Sequence, residues 1–264
     1  MTGYRYQYEG VIFAGTVILL VVILVLTAGF TLCLIPLFII VIFTVSFFIN
    51  RASHQALVEG GKNIQEIPSL APLAASCKKG LRAGRTDIVI VRNEAVNAYT
   101  FGLSNPKMIV LNSALVEIMD EGGLRFVIGH EMGHIVLGHT WFLTLLNSLS
   151  VLPTSLGVYT LTRLAFLLWG RMSEYSADRA GLLACGNLNK AVSTLIKITA
   201  SDVHTPGQLQ RALQIIEKED DSILNLLGET LSMHPLTINR IEQLEEYASS
   251  TAYRRHQAEY DRSG

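Results

Sequence analysis

Apolar and polar positions divide the chain into stretches of different character. Residues 11–49 contain no Asp, Glu, Lys, Arg or His. A membrane-crossing helix needs about 20 apolar residues, so this run predicts a transmembrane helical hairpin over 1–50. Thr27-Ala28-Gly29-Phe30-Thr31 supplies the turn chemistry, and Pro36 sits in the first turn of the second helix or kinks it. One long tilted helix satisfies the same run. A cleaved signal peptide does not, because its apolar region would be only about 7–15 residues.

Beyond the run, 51–85 reads as a connector with short helices, punctuated by Pro68 and Pro72 and closed by Gly80 and Gly84. Alternation and β-branching then predict strands at 87–91, 97–101 and 107–111, arranged as a small antiparallel meander. Gly102 and Asn105-Pro106 provide the turn between the last two. Helical periodicity takes over. Asn112 or Ser113 caps a helix to about Met119, and Asp120 or Glu121 starts the next, which runs towards His139. Further helices are predicted over 173–185, 189–200, 207–219 and 236–247, the last begun by Pro235. The fold class is α+β: a membrane hairpin followed by a mostly helical domain over 86–264 with one small sheet.

Composition narrows the function classes. The hydrophobic fraction is 50%, only 16% of residues are charged, and the formal net charge is −1, which gives no basis for nucleic-acid binding. Three cysteines, Cys33, Cys77 and Cys185, form no C-x-x-C pair, so neither a disulfide framework nor a cysteine-based metal site is expected. Arg5 precedes the apolar run, and Arg51, Lys62, Lys78, Lys79, Arg82 and Arg85 follow it. The positive-inside tendency puts both ends in the cytoplasm.

The candidate chemistry lies in His130-Glu131-Met132-Gly133-His134. Residues four apart share a helix face, so His130 and His134 can present imidazoles to one metal ion. Glu131 is placed to reach a metal-activated water without binding the metal, which is the physical content of H-E-x-x-H. Zinc would lower the pKa of that water to about 7 and the glutamate would move its proton. A chance H-E-x-x-H arises on the order of once in a hundred chains of this length. Here Phe126, Val127 and Ile128 precede the motif and Ile135, Val136 and Leu137 follow it, which predicts a buried helix. Two histidines and a glutamate buried together need a partner, and a metal satisfies all three.

A catalytic zinc takes three protein ligands and keeps one position open. His139 lies five residues from His134, off the ligand face, and the metzincin pattern would need glycine and histidine where Leu137 and Thr140 stand. A capping or surface role near the helix end suits His139 better. Glu174 and Asp178, four apart in Ser173-Glu174-Tyr175-Ser176-Ala177-Asp178, fit better. Glu174 would bind the metal, and Asp178 would accept the N–H of a ligand histidine. Ala177, Ala180 and Gly181 allow that helix to pack closely on the motif helix. An exposed carboxylate pair beside Arg179 is the plainer alternative.

These pieces together resemble the membrane-anchored gluzincin peptidases of the HtpX and CAAX prenyl protease type. The resemblance is carried by HEMGH at 130–134, Glu174 to Asp178, Asn97-Ala98-Tyr99-Thr100-Phe101-Gly102, and His234-Pro235 with Arg240. It covers roughly 85–245 and the N-terminal hairpin. It implies that His130, His134 and Glu174 bind Zn²⁺, that Glu131 is the base, and that His234 or Arg240 steadies the oxyanion. It implies further that the strand with Asn97, Ala98 and Tyr99 pairs with substrate backbone. One departure stands out. The family type expects more spans between motif and third ligand, whereas Trp141 to Trp169 is too short for two crossings, and one would separate His134 from Glu174. A short helical hairpin with no net crossing is expected there.

The expectation is an integral-membrane zinc endopeptidase of the bacterial inner membrane with its catalytic domain in the cytoplasm. Its substrates would be unfolded or membrane proteins, its other contact the lipid bilayer, and its oligomeric state open. Processing of one peptide or lipidated protein uses the same chemistry. A non-catalytic metal-bound scaffold or chaperone is the alternative of another class, and Glu131 argues against it.

Overall fold

Lys107–Asn112 carries the apolar run Met108-Ile109-Val110-Leu111, and it takes the position where both faces are covered. In a computed structural model, which describes residues 3, 5, 6, 8–31, 34–103, 105–149, 157–199 and 237–263, four strands form one sheet. They are β1 (Lys62–Asn63), β2 (Thr86–Val91), β3 (Ala98–Phe101) and β4 (Lys107–Asn112), in the order β1-β2-β4-β3. β3 pairs antiparallel with β4, Ala98 opposite Leu111, but β2 pairs parallel with β4, Ile88 opposite Ile109. The sheet is therefore mixed, not the antiparallel meander expected. Met108, Ile109, Val110 and Leu111 are fully buried, as a central strand covered on both faces requires. Burying β4 in the middle outweighs keeping the strands in chain order, and it leaves β3 at the edge.

Ten α-helices are described, besides a 3-10 turn at Ile64–Glu66. They are α1 (Glu9–Thr31), α2 (Leu34–Gly60), α3 (Ala71–Gly80), α4 (Ser113–Ile118), α5 (Glu121–Val136), α6 (His139–Leu149), α7 (Gly157–Cys185), α8 (Leu188–Thr199), α9 (Thr237–Ser249) and α10 (Thr251–Ser263). The predicted helix at 207–219 lies outside the described residues, as do Pro235 and His234.

The N-terminal expectation needs correcting. Two successive helices are present, but among the described residues no helix is long and apolar enough to cross a membrane. The supposed turn at Thr27–Thr31 is inside α1, and α2 runs eleven residues past the apolar stretch, through polar side chains to Gly60. Part of α1 also serves the domain. Ile12, Phe13 and Leu20 pack against Phe142 of α6 and Trp169 of α7, and Glu9 and Thr16 are buried. The connector read at 51–85 does hold short helices, a 3-10 turn at Ile64–Glu66 and α3, but α2 occupies its first ten residues and β1 adds an edge to the sheet.

The site rests on α5 against α7. Asp120 caps α5, its side chain accepting the Gly123 N–H at 2.8 Å. Residues from Gly123 to His134 are nearly all buried. Small residues let the two backbones approach: a Cβ on Gly129 would lie 2.4 Å from that of Ala184, one on Gly133 2.7 Å from Ala180 Cβ, and one on Gly181 2.8 Å from the Phe126 carbonyl. Gly129→Val is therefore expected to force the helices apart and cost about 1–3 kcal/mol, read as a lower midpoint in denaturant unfolding.

The candidate metal centre

α5 ends because Gly138 adopts φ +82, a left-handed conformation that suits glycine. The Leu137 N–H reaches back to Gly133 O and the Gly138 N–H to Ile135 O. The chain turns there, and His139 opens α6 with its ring folded back on His134. His139 is accordingly 1% exposed, not a surface residue, and it stands outside the converging donor group. Sequence spacing set it off the face shared by His130 and His134, but could not show that the turn would return it to the back of His134.

His130 and His134 from α5 and Glu174 from α7 converge. The His130 and His134 Nε2 atoms are 3.2 Å apart, and the Glu174 oxygens stand 3.5 Å from the first and 3.4 Å from the second. Tetrahedral zinc with bonds near 2.05 Å would separate its donors by about 3.3 Å, so this donor set fits that ion. The charge fits as well. Glu131, Glu174 and Asp178 are all buried, and Arg240 is the cation that touches two of them. A divalent cation balances that excess.

The outer partners fix both rings. His130 Nδ1–H donates to Asp178 Oδ1 at 3.0 Å. Arg240 Nε donates to Asp178 Oδ2 at 2.8 Å and its Nη2 to Oδ1 at 2.5 Å. Burial alone would raise the Asp178 carboxyl, but the Arg240 charge and hydrogen bonds, with His130, hold it below its ordinary value. Asp178 is thus an ionised acceptor, and the His130 Nε2 lone pair is left for a metal. In the metal-free protein burial opposes a charged His130 ring, yet the bonds and charges of Asp178 and Glu174 lift it to about 10. The cluster draws in positive charge in whatever form is offered. Burial and the same two carboxylates act on Arg240 in opposite directions, and the net effect is upward, so it stays charged.

On the second ring, His139 Nε2–H donates to Glu9 Oε1 at 2.9 Å, and the two histidine Nδ1 atoms are 3.0 Å apart. Burial pushes the His139 imidazole down to about 4, so it is neutral. With its Nε2 carrying the hydrogen, its Nδ1 accepts, His134 Nδ1–H donates, and the His134 Nε2 lone pair also faces the cluster. Glu9 further accepts from Ser176 Oγ and pairs with Arg5 Nη1 at 3.2 Å. Glu9, Ser176 and Arg5 were not expected at the site. Glu9, the last charge before the apolar run, was the available signal.

A cavity of about 80 Å³ adjoins the donors. His130, Glu131, Glu174 and Arg240 stand on its polar wall, and Phe126, Val127, Leu195 and Ile198 on its apolar wall. Asn97, just ahead of the edge strand, and Ala98, its first residue, reach it, while Tyr99 on the alternate face is 41% exposed and does not line it. The Arg240 guanidinium is thus committed to Asp178 and still borders the cavity.

A model of Peptidase family M48 matches residues 65–248. The plastoglobule-localized metallopeptidase 48 of Arabidopsis thaliana chloroplasts is 28% identical over 211 residues, covering 72% of this chain and 59% of its own. A CAAX prenyl protease 1 homolog of Dictyostelium discoideum is 38% identical over 71 residues, covering 25% of this chain and 17% of its own. An uncharacterized metalloprotease, YhfN of Bacillus subtilis (strain 168), is 38% identical over 50 residues, 19% of this chain and 12% of its own. The chain spans about three fifths of the length of the first relative and under a fifth of the others.

Proposed function

Because the chain belongs to Peptidase family M48, we propose that it is a zinc-dependent endopeptidase held at a bilayer, acting on unfolded or membrane proteins. The observation that carries the peptidase reading is the convergence of His130, His134 and Glu174 beside Glu131 on the wall of one cavity. Bound there, zinc supplies Lewis acidity toward the scissile carbonyl and lowers the pKa of the attacking water to about 7. The chain's own residues do the rest. Glu131 takes the proton of that water and delivers it to the leaving amine. Asp178 and His139 keep the two ligand rings in the tautomer that presents Nε2. Arg240, on the same wall, or His234 supports the developing oxyanion. Extended substrate lies along β3, whose outer side takes no strand partner among the described residues, so backbone is recognised more than sequence.

Attachment to a bilayer is supported by the uncharged run 11–49 and by the outward side chains Val11, Ile18, Val25 and Phe48, all more than half exposed. The Lys and Arg residues that follow it favour the cytoplasmic face of a bacterial inner membrane.

Casein incubated with the full chain, purified in detergent and loaded with zinc, is expected to be cut. A zinc chelator should stop the cutting and added Zn²⁺ restore it. Retained zinc without cleavage would replace this reading by a processing protease of narrow specificity or by a scaffold.

A further inference from the structure

The segment ahead of α1 is threaded into the domain through a chain of polar contacts that ends at a metal-ligand candidate. The Tyr6 N–H donates to Ser176 Oγ at 3.0 Å, and Arg179 Nη1 donates to the Arg5 carbonyl at 3.3 Å. Arg179 is also sandwiched between the rings of Tyr6 and Tyr247, 4.8 Å from each. Arg5 Nη2 donates to Leu137 O at 2.9 Å, the last carbonyl before the turn at Gly138. These contacts fix the start of α1 so that Glu9 is 1% exposed, with Oε1 on His139 and Oε2 on Ser176.

We propose that Glu9 is a positioning residue for the metal: through His139 it sets the tautomer and orientation of His134, so the metal centre is completed by the N-terminal segment. A buried carboxylate is costly without partners. Arg5, Ser176 and His139 together satisfy Glu9, and only His139 leads onward to a ligand. The pattern mirrors the Asp178–His130 pair on the other ring, with one imidazole inserted. Each ligand histidine then has its second nitrogen committed, and neither can turn its Nε2 away from the cluster without breaking a buried hydrogen bond. Because Glu9 is also the first residue of α1, the metal centre and the apolar helices share one residue.

The inference rests on His130, His134 and Glu174 holding the metal, and its test reads the metal directly. Zinc affinity is measured by chelator competition on the full chain, and the visible bands of the Co²⁺-substituted protein report ligand geometry. Glu9→Ala and His139→Ala should each weaken zinc binding about 10–100-fold and shift the Co²⁺ bands. The double variant should be no weaker than His139→Ala alone, as for residues acting in series. Glu9→Gln, which keeps an acceptor for the His139 N–H, should recover most of the affinity. Should Glu9→Ala not fold, Glu9→Asp decides in its place, since it keeps the charge but withdraws it by one methylene from His139. Affinities within twofold of the parent and unchanged Co²⁺ bands in folded Glu9 and His139 variants would overturn the proposal. A parent that binds no zinc would overturn the metal reading on which it rests.

Discussion

Glu131→Gln is expected to lower casein cleavage by about 10²–10⁴-fold while zinc content stays at the parental level. The amide is nearly isosteric with the carboxylate, so the buried wall beside His130 keeps its shape. It cannot accept the proton of the attacking water. Glu131 is absent from the converging donor set, and this separates it from Glu174. Glu174→Gln should cost zinc affinity first and cleavage as a consequence. Zinc content by atomic absorption, run beside the rate, divides the two cases. A Glu131→Gln protein that cleaves at the parental rate would remove Glu131 from the chemistry.

Arg240→Ala should lower the stability of the metal-free protein by about 3–5 kcal/mol, because it strands Asp178 in the interior without its guanidinium. Asp178 is 1% exposed and takes two hydrogen bonds from Arg240, so its charge has little access to water. Denaturant unfolding gives the stability loss. Kinetics on the folded fraction address the oxyanion: a fall in kcat at constant KM is the expected sign of an interaction made only in the transition state. Arg240→Lys keeps a charge but loses the fork that spans both Asp178 oxygens, and should recover only part of the stability. A loss below about 1 kcal/mol for Arg240→Ala would mean that Asp178 takes up a proton when the guanidinium goes.

The parts of the site that were legible in the sequence are those fixed by local geometry. The i,i+4 spacing of His130 and His134, and of Glu174 and Asp178, is enough to put each pair on one helix face, and Asp120 marked the start of α5. Gly181 and the alanines beside it announced a close helix pair, which the α5–α7 contact shows. The positions of β2, β3 and β4 were readable within a residue or two, while β1, only two residues long, gave no strand signal. Strand order was not, because pairing β2 with β4 past β3 depends on which strand can be covered on both faces. The Glu9–His139 contact joins residues 130 apart, and no periodicity reports a pairing of that kind. α10 was missed because Thr251–Ser263 is polar nearly all round. Its buried stripe is little more than His256, bonded to Tyr247 at 2.8 Å, and Tyr260, which lies against Gly80.

The interlocked glycines and alanines of α5 and α7 bear on the thermodynamics of metal uptake. Where two backbones are in contact, main-chain packing sets how far apart the backbones carrying His130, His134 and Glu174 lie, and only the side-chain torsions are left to place the donors. The conformational entropy of gathering three donors is lost when the helices pack, before any ion arrives. Loading the ion would then order little of the chain and bury little apolar surface, so its heat-capacity change is expected to be small. On this reading folding builds the centre, and a metal would arrive at a site already shaped for it.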